Sequence, residues 1–120
     1  MDELKLGECD YRFMNIIWNN QPLQSGELVS LCATELGWKK STVYTVLKKL
    51  CDKGFAKNEG STVTALIPRE RVRAFESERV VNHTFDGSLP GFLASFLDGK
   101  TISEKEALEL KQLIDSHREE

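Results

Sequence analysis

Lys39, Lys40, Ser41 and Thr42 stand side by side at the start of the segment WKKSTVYTVLKKLCDKGF, whose later polar positions include Tyr44, Thr45, Lys48 and Lys49. Ammonium groups partner phosphates, and short hydroxyl side chains reach base edges. The spacing decides whether these groups act together. At about 100° per residue, Ser41, Thr45, Lys48, Lys49 and Asp52 share one side of a helix, with Thr42 and Tyr44 flanking. Val43, Val46, Leu47, Leu50 and Cys51 share the opposite side. One face is made for burial and the other for a polyanion. The segment therefore reads as a DNA-reading helix that stops at Gly54. Alternatively, its lysines do no more than solvate an exposed face.

Charge is distributed to the same effect. The chain of 120 residues carries a net −3, an unpromising total for a nucleic-acid binder. Residues 38–57 nevertheless hold six lysines against one acid, Asp52, while residues 98–120 hold seven acids and four bases. Over a Debye length of about 10 Å a phosphate responds to the local excess.

Other chemistry is poorly supported. Cys9, Cys32 and Cys51 are odd in number and lack C-x-x-C spacing, and Cys32 and Cys51 fall on apolar helix faces, as small buried hydrophobes do. His83 and His117 stand alone, so no metal-ligand spacing arises and no cofactor is expected. There is no Gly-rich phosphate loop and no nucleophile with a recognisable base. No apolar run approaches the ~20 residues of a membrane span. Asp2, Glu3, Lys5, Glu8 and Asp10 interrupt any secretory h-region, which predicts a soluble, cytoplasmic protein.

The elements that would position the cationic helix follow from periodicity. Phe13, Met14, Ile16, Ile17 and Trp18 predict a first helix over 8–20, closed by Asn19, Asn20 and Pro22. Leu23 reads as a short extended link and Ser25 as the N-cap of a second helix, with Leu28, Leu31, Cys32 and Leu36 as its buried stripe. Gly37 stands where a left-handed C-cap belongs. Beyond Gly54, Phe55-Ala56-Lys57 and Thr62–Ile67 predict two strands around the turn Glu59-Gly60-Ser61. A hairpin directly after such a helix is a wing, and Lys57 and Thr62 join the candidate DNA contacts. The fold expected is mainly α: a winged helix-turn-helix domain over 1–68, then a helical dimerisation domain over 69–120.

That second half predicts three helices. A charged helix over 69–83 offers Val72, Phe75, Val80 and Val81. After Phe85-Asp86-Gly87 comes an apolar stretch with Leu89, Phe92, Leu93, Phe96 and Leu97. Ser103 and Glu106 have capping-box spacing before a last helix with Leu110, Leu113 and Ile114 on one face. This is more apolar surface than about fifty residues bury alone, which predicts a homodimer. The alternative is a monomer whose helices fold back on the winged domain.

The runs MNIIW (14–18), WKKSTVYTVLKKLCDKGF (38–55) and FDGSL (85–89), with Gly60 and Pro68 in the wing, resemble the penicillinase and methicillin-resistance repressors, the BlaI/MecI family. The resemblance covers essentially the whole chain. It implies a dimeric repressor on a palindromic operator of a β-lactam-resistance-type operon, with Ser41, Thr42 and Thr45 reading bases and Lys39, Lys40, Lys49 and the wing on the backbone. It also implies inactivation by a sensor zinc metalloprotease that cuts within the dimerisation helices. The family's N-F-L cleavage context stands here as Ser95-Phe96-Leu97, and Phe96 is equally a core position. The wing has Ser61 and Leu66 where the family often has a basic residue and a tyrosine, and the C-terminus lacks the C-x-C motifs of copper-responsive relatives. A repressor of this type answering another signal, or a winged-helix module binding a protein, are the alternatives. A uniformly cationic face favours DNA over the last of these.

Overall fold

A computed structural model describes residues 4–119; Asp2, Glu3 and Glu120 of the acidic termini lie outside the described residues. The order is α1 (Glu8–Asn20), β1 (Leu23–Gln24), α2 (Ser25–Leu36), α3 (Lys40–Asp52), β2 (Ala56–Glu59), β3 (Thr62–Ala65), α4 (Arg69–Thr84), α5 (Leu89–Leu97) and α6 (Glu104–Ser116). This is a mostly helical chain with a small antiparallel sheet, a winged helix followed by a helical C-terminal region. It divides into one compact unit ending at Val80 and another beginning at Val81.

The first unit owns the buried core. Phe13, Met14 and Ile17 of α1, Leu28 and Cys32 of α2, and Val43 and Leu50 of α3 are fully buried with Val63, while Phe55 is nearly so. Each buried aliphatic or aromatic side chain contributes about 1.5–3 kcal/mol. Trp38 stacks on Phe13 at 5.7 Å between ring centres, which pins the turn before α3 to α1. The Trp18 indole N–H donates to the Ile67 carbonyl at 2.9 Å and fastens α1 to the chain leaving the wing.

Gly37 ends α2 with φ +70° as expected, and its N–H donates to the Ala33 carbonyl. At the end of α3, Gly54 has φ +84°. There the Phe55 N–H donates to Leu50 at 2.9 Å and the Gly54 N–H to Cys51 at 3.1 Å. This is a Schellman arrangement, and the contact it brings is between Leu50 and Phe55, both buried. The same turn aims the chain directly into the wing.

Three expectations are corrected. The N-cap of α2 is Gln24, in a capping box with Glu27, and Ser25 is already helical. Ser25 is committed elsewhere: its N–H donates to the Ser61 carbonyl at 2.8 Å and its Oγ accepts from the Tyr44 hydroxyl. Leu23 and Gln24 are more than a link, because they pair with Val63 and Thr62 and make the sheet three-stranded, in the order β1-β3-β2. Finally, β2 starts at Ala56 and includes Glu59, β3 ends at Ala65, and the turn is only Gly60-Ser61.

Both turn residues have positive φ, +55° at Gly60 and +67° at Ser61, the mirror-image turn that suits a two-residue hairpin. A Cβ at Gly60 would meet no atom within 4 Å, so Gly60→Ala isolates the backbone cost. We expect a loss of about 1 kcal/mol, the left-handed penalty partly offset by reduced freedom in the unfolded chain. Thermal unfolding should therefore fall by several degrees.

The thiols differ as their surroundings dictate. Burial, with Glu35 adding to it, pushes Cys32 up from 9.0 to about 11; burial also raises Cys51, with Asp52 adding and Lys48 opposing. Cys9 is exposed. A thiol raised in the folded state loses its contribution as pH climbs from the unfolded value toward the folded one. Stability should thus decline between about pH 9 and pH 11, less steeply in Cys32→Ala. At pH 8, alkylation should mark Cys9 quickly and spare Cys32 until the protein unfolds, as mass spectrometry would read.

Candidate nucleic-acid interface

On α3 the apolar side is spent on the core, so its polar side is the one left to solvent. Val43, Leu47 and Leu50 are buried, whereas Lys39, Lys40, Ser41, Thr42, Tyr44, Thr45, Lys48 and Lys49 are all exposed. Among the described residues the side chains of Lys39, Lys40, Ser41 and Thr42 have no hydrogen-bond or ion-pair partner. The first turn therefore offers ammonium groups, hydroxyls and unsatisfied backbone N–H groups together, a combination suited to phosphate. Lys39 occupies the N-cap position without a side-chain cap.

Further along, the polar groups have internal partners. Thr45 Oγ1 donates to the Ser41 carbonyl at 2.9 Å, which turns its methyl and lone pairs outward. Tyr44 directs its hydroxyl to Ser25 Oγ at 3.3 Å. Lys48 pairs with Asp52 at 3.2 Å, Lys49 with Asp10 of α1 at 2.9 Å, and Lys57 with Glu59 at 3.1 Å. Lys48–Asp52 is so exposed that it contributes little, while Asp10 is largely covered and holds Lys49 firmly. Thr62 Oγ1 accepts from Gln24 Nε2 at 3.2 Å, tying the wing to the start of α2. Between α3 and the wing lies a groove of about 560 Å³, lined by Tyr44, Leu47, Lys48, Cys51, Lys57 and Leu66 among others.

Sequence motifs, fold and exposed helix agree with one family comparison. The model of the penicillinase repressor family matches residues 6–116. The chain belongs to the penicillinase repressor family.

Relatives are distant but cover most of their own length. The chain is 23% identical to the penicillinase repressor of Bacillus licheniformis over 95% of this chain and 92% of that protein. It is 19% identical to the methicillin resistance regulatory protein MecI of Staphylococcus epidermidis over 92% and 93%. An uncharacterized 16.5 kDa protein of Latilactobacillus sakei, from the ptsI 3' region, is 27% identical over 88% of this chain and 75% of that protein. The penicillinase repressor family is one of transcriptional repressors, not enzymes, and membership implies DNA binding. Among the described residues no helix is long and apolar enough to cross a membrane.

The C-terminal unit of this penicillinase repressor family member has a different surface. Ser88 caps α5 by accepting the Gly91 N–H at 2.9 Å, and a Cβ at Gly91 would meet that Oγ at 2.9 Å. A larger residue at Gly91 would therefore make the capping Ser88 shift. Phe85 meets Phe92 edge-on at 5.5 Å and Phe92 stacks on Phe96 at 6.3 Å. Ser103 caps α6 through the Glu106 N–H at 3.0 Å. No residue of α5 or α6 is buried. Phe96 was expected in a core, yet within one chain it is 58% exposed, as are Leu89 at 55%, Leu113 at 57% and Ile114 at 54%. Val80 is exposed too, while Phe75, Phe85, Phe92, Leu93, Leu97 and Leu110 are half-buried. Ser95 is exposed within α5.

Sequence reasoning missed Asp10 and Gln24. Gln24 and Glu27 have the spacing of a capping box, but Ser25 beside them has the better N-cap side chain and hides it; nothing local linked Asp10 to Lys49, 39 positions away.

Proposed function

We propose that two copies of this chain pair through α5 and α6, with Phe75 and Val80 of α4 contributing, and repress transcription from a palindromic operator. Each copy lays the start of α3 in a major groove, the two grooves about 34–36 Å apart on one face of the duplex. Ser41, Thr42 and Thr45 contact base edges; Lys39, Lys40, Lys48 and Lys57 contact phosphates, and Tyr44 and Thr62 flank them. The observation that carries this reading is the first turn of α3, where two lysines and two hydroxyls, without a partner among the described residues, face solvent. Lys49 leaves Asp10 only when a phosphate competes, so it adds affinity at low salt and specificity nowhere.

The operon is of the β-lactam-resistance type, and the repressor is inactivated when a sensor zinc metalloprotease cuts between Ser95 and Phe96. Support comes from the family names and from the exposure of both residues. The bond lies inside α5, so cleavage requires local unwinding. Mass spectrometry of the chain from β-lactam-treated cells should find fragments ending at Ser95; intact chain alongside full derepression would separate the DNA reading from the protease reading.

The DNA reading is tested by titrating the protein with duplex from its own upstream region at several salt concentrations. Affinity should fall steeply, with a log–log slope of about −0.9 for each phosphate contact. Lys49→Ala should flatten that slope by about one unit or less and weaken random and specific duplex alike. Failure to bind any duplex at low salt would favour a protein-binding module.

A further inference from the structure

The first unit has a second cationic concentration, in which no residue of α3 or the wing takes part. A cavity of about 480 Å³ opens between α1, the end of α2 and the start of α4, and Arg12, Asn15, Asn19, Glu35, Arg69 and Arg73 line it. Three guanidinium groups thus face one carboxylate.

Two of the three are held in place by neutral groups. Arg69 donates from Nε to Asn15 Oδ1 at 3.2 Å and from Nη2 to Asn19 Oδ1, and its guanidinium lies over the Trp18 ring at 5.3 Å. Arg73 donates from Nε to the Tyr11 hydroxyl oxygen at 3.4 Å. Such partners fix orientation without cancelling charge. Among the described residues, ion pairs are made by Lys48, Lys49, Lys57, Arg79 and Arg118, and by none of Arg12, Arg69 and Arg73. Glu35 lines the same cavity yet pairs with none of them. Lys49, by contrast, closes on Asp10 at 2.9 Å.

Guanidinium forks match carboxylate and phosphate oxygens two at a time, and several around one cavity select more than one negative charge. We propose that this cavity binds a small polyanion, a metabolite carrying a phosphate ester or several carboxylates, bridging Arg12 of α1 to Arg69 and Arg73 of α4. Bound there, it ties the first turns of α4 to α1. The proposal stands independently of whether α3 reads DNA.

The test is calorimetric titration of the full chain with inorganic phosphate and, separately, with citrate, at constant ionic strength set by sodium chloride. Saturable binding of one anion per chain is expected. The tighter of the two probes identifies phosphate or polycarboxylate chemistry. Arg12→Ala and Arg73→Ala, both exposed positions, should each weaken binding by about tenfold or more while the circular dichroism spectrum is unchanged. Arg73→Lys should recover only part of the loss, since an ammonium is not a fork. Binding that never saturates, that survives both alanine variants, or that is lost instead in Lys39→Ala would overturn the proposal.

Discussion

Phe96→Asp should convert the protein to monomers and weaken operator binding by about 10²–10⁴-fold, the factor that tethering two half-site readers supplies. In one chain Phe96 is 58% exposed, at the end of the ladder Phe85–Phe92–Phe96. An aspartate there costs the isolated chain little. In a paired state it places a carboxylate in an apolar interface, where an unpaired charge is expensive. The core of the winged unit involves no residue of α5, so its thermal unfolding and circular dichroism should be preserved. Sedimentation velocity reads the oligomeric state and fluorescence anisotropy the affinity. Phe96→Leu, which keeps apolar volume, should remain dimeric. A Phe96→Asp protein that stayed dimeric would refute this interface.

Thr42→Ala is the second large effect, a loss of about 1–3 kcal/mol on the operator, or roughly 5- to 150-fold. Thr42 is exposed on the first turn of α3 and engages no other described side chain, so folding does not need its hydroxyl. Affinity for random duplex should hardly change, because phosphate contacts are untouched. A mutation of Lys39 and Lys40 to alanine should do the reverse. It lowers affinity for every duplex and reduces the salt slope by about two units. Equal losses on operator and random duplex for Thr42→Ala would remove it from base readout.

The difference between these two variants rests on how α3 is anchored. Its buried stripe and the Schellman turn at Gly54 set which side chains face outward, and both were legible. Val43, Leu47 and Leu50 recur at helical spacing, and Gly37 and Gly54 punctuate it. The bounds of α1 were legible for the same reason, since periodicity and a proline each act over a few residues. The capping of α2 was not. Ser25 has the better N-cap side chain, but its N–H and Oγ were already claimed by Ser61 and Tyr44, contacts that exist only once the wing and α3 pack against the start of α2. Likewise β1 is two residues long and owes its strand character to Val63 and Thr62 of β3.

Charge was the least legible property. The six lysines of residues 38–57 suggested a uniform cationic face, whereas the fold brings Asp10 to Lys49, and Glu59, two positions beyond that window, pairs with Lys57 within β2. What remains is an excess concentrated at the start of α3. The arginine cavity was invisible for a related reason: Arg69 meets Asn15 and Asn19 across 54 and 50 positions. Residues so far apart carry no shared period.

One measurement addresses the pairing of two α3 helices on one duplex most directly. The mass of the complex with a duplex from the protein's own upstream region, by sedimentation equilibrium at low salt, should correspond to two chains per duplex, with nuclease protection on two half-sites about one helical turn apart. A complex of one chain per duplex, or no complex at all, would contradict it.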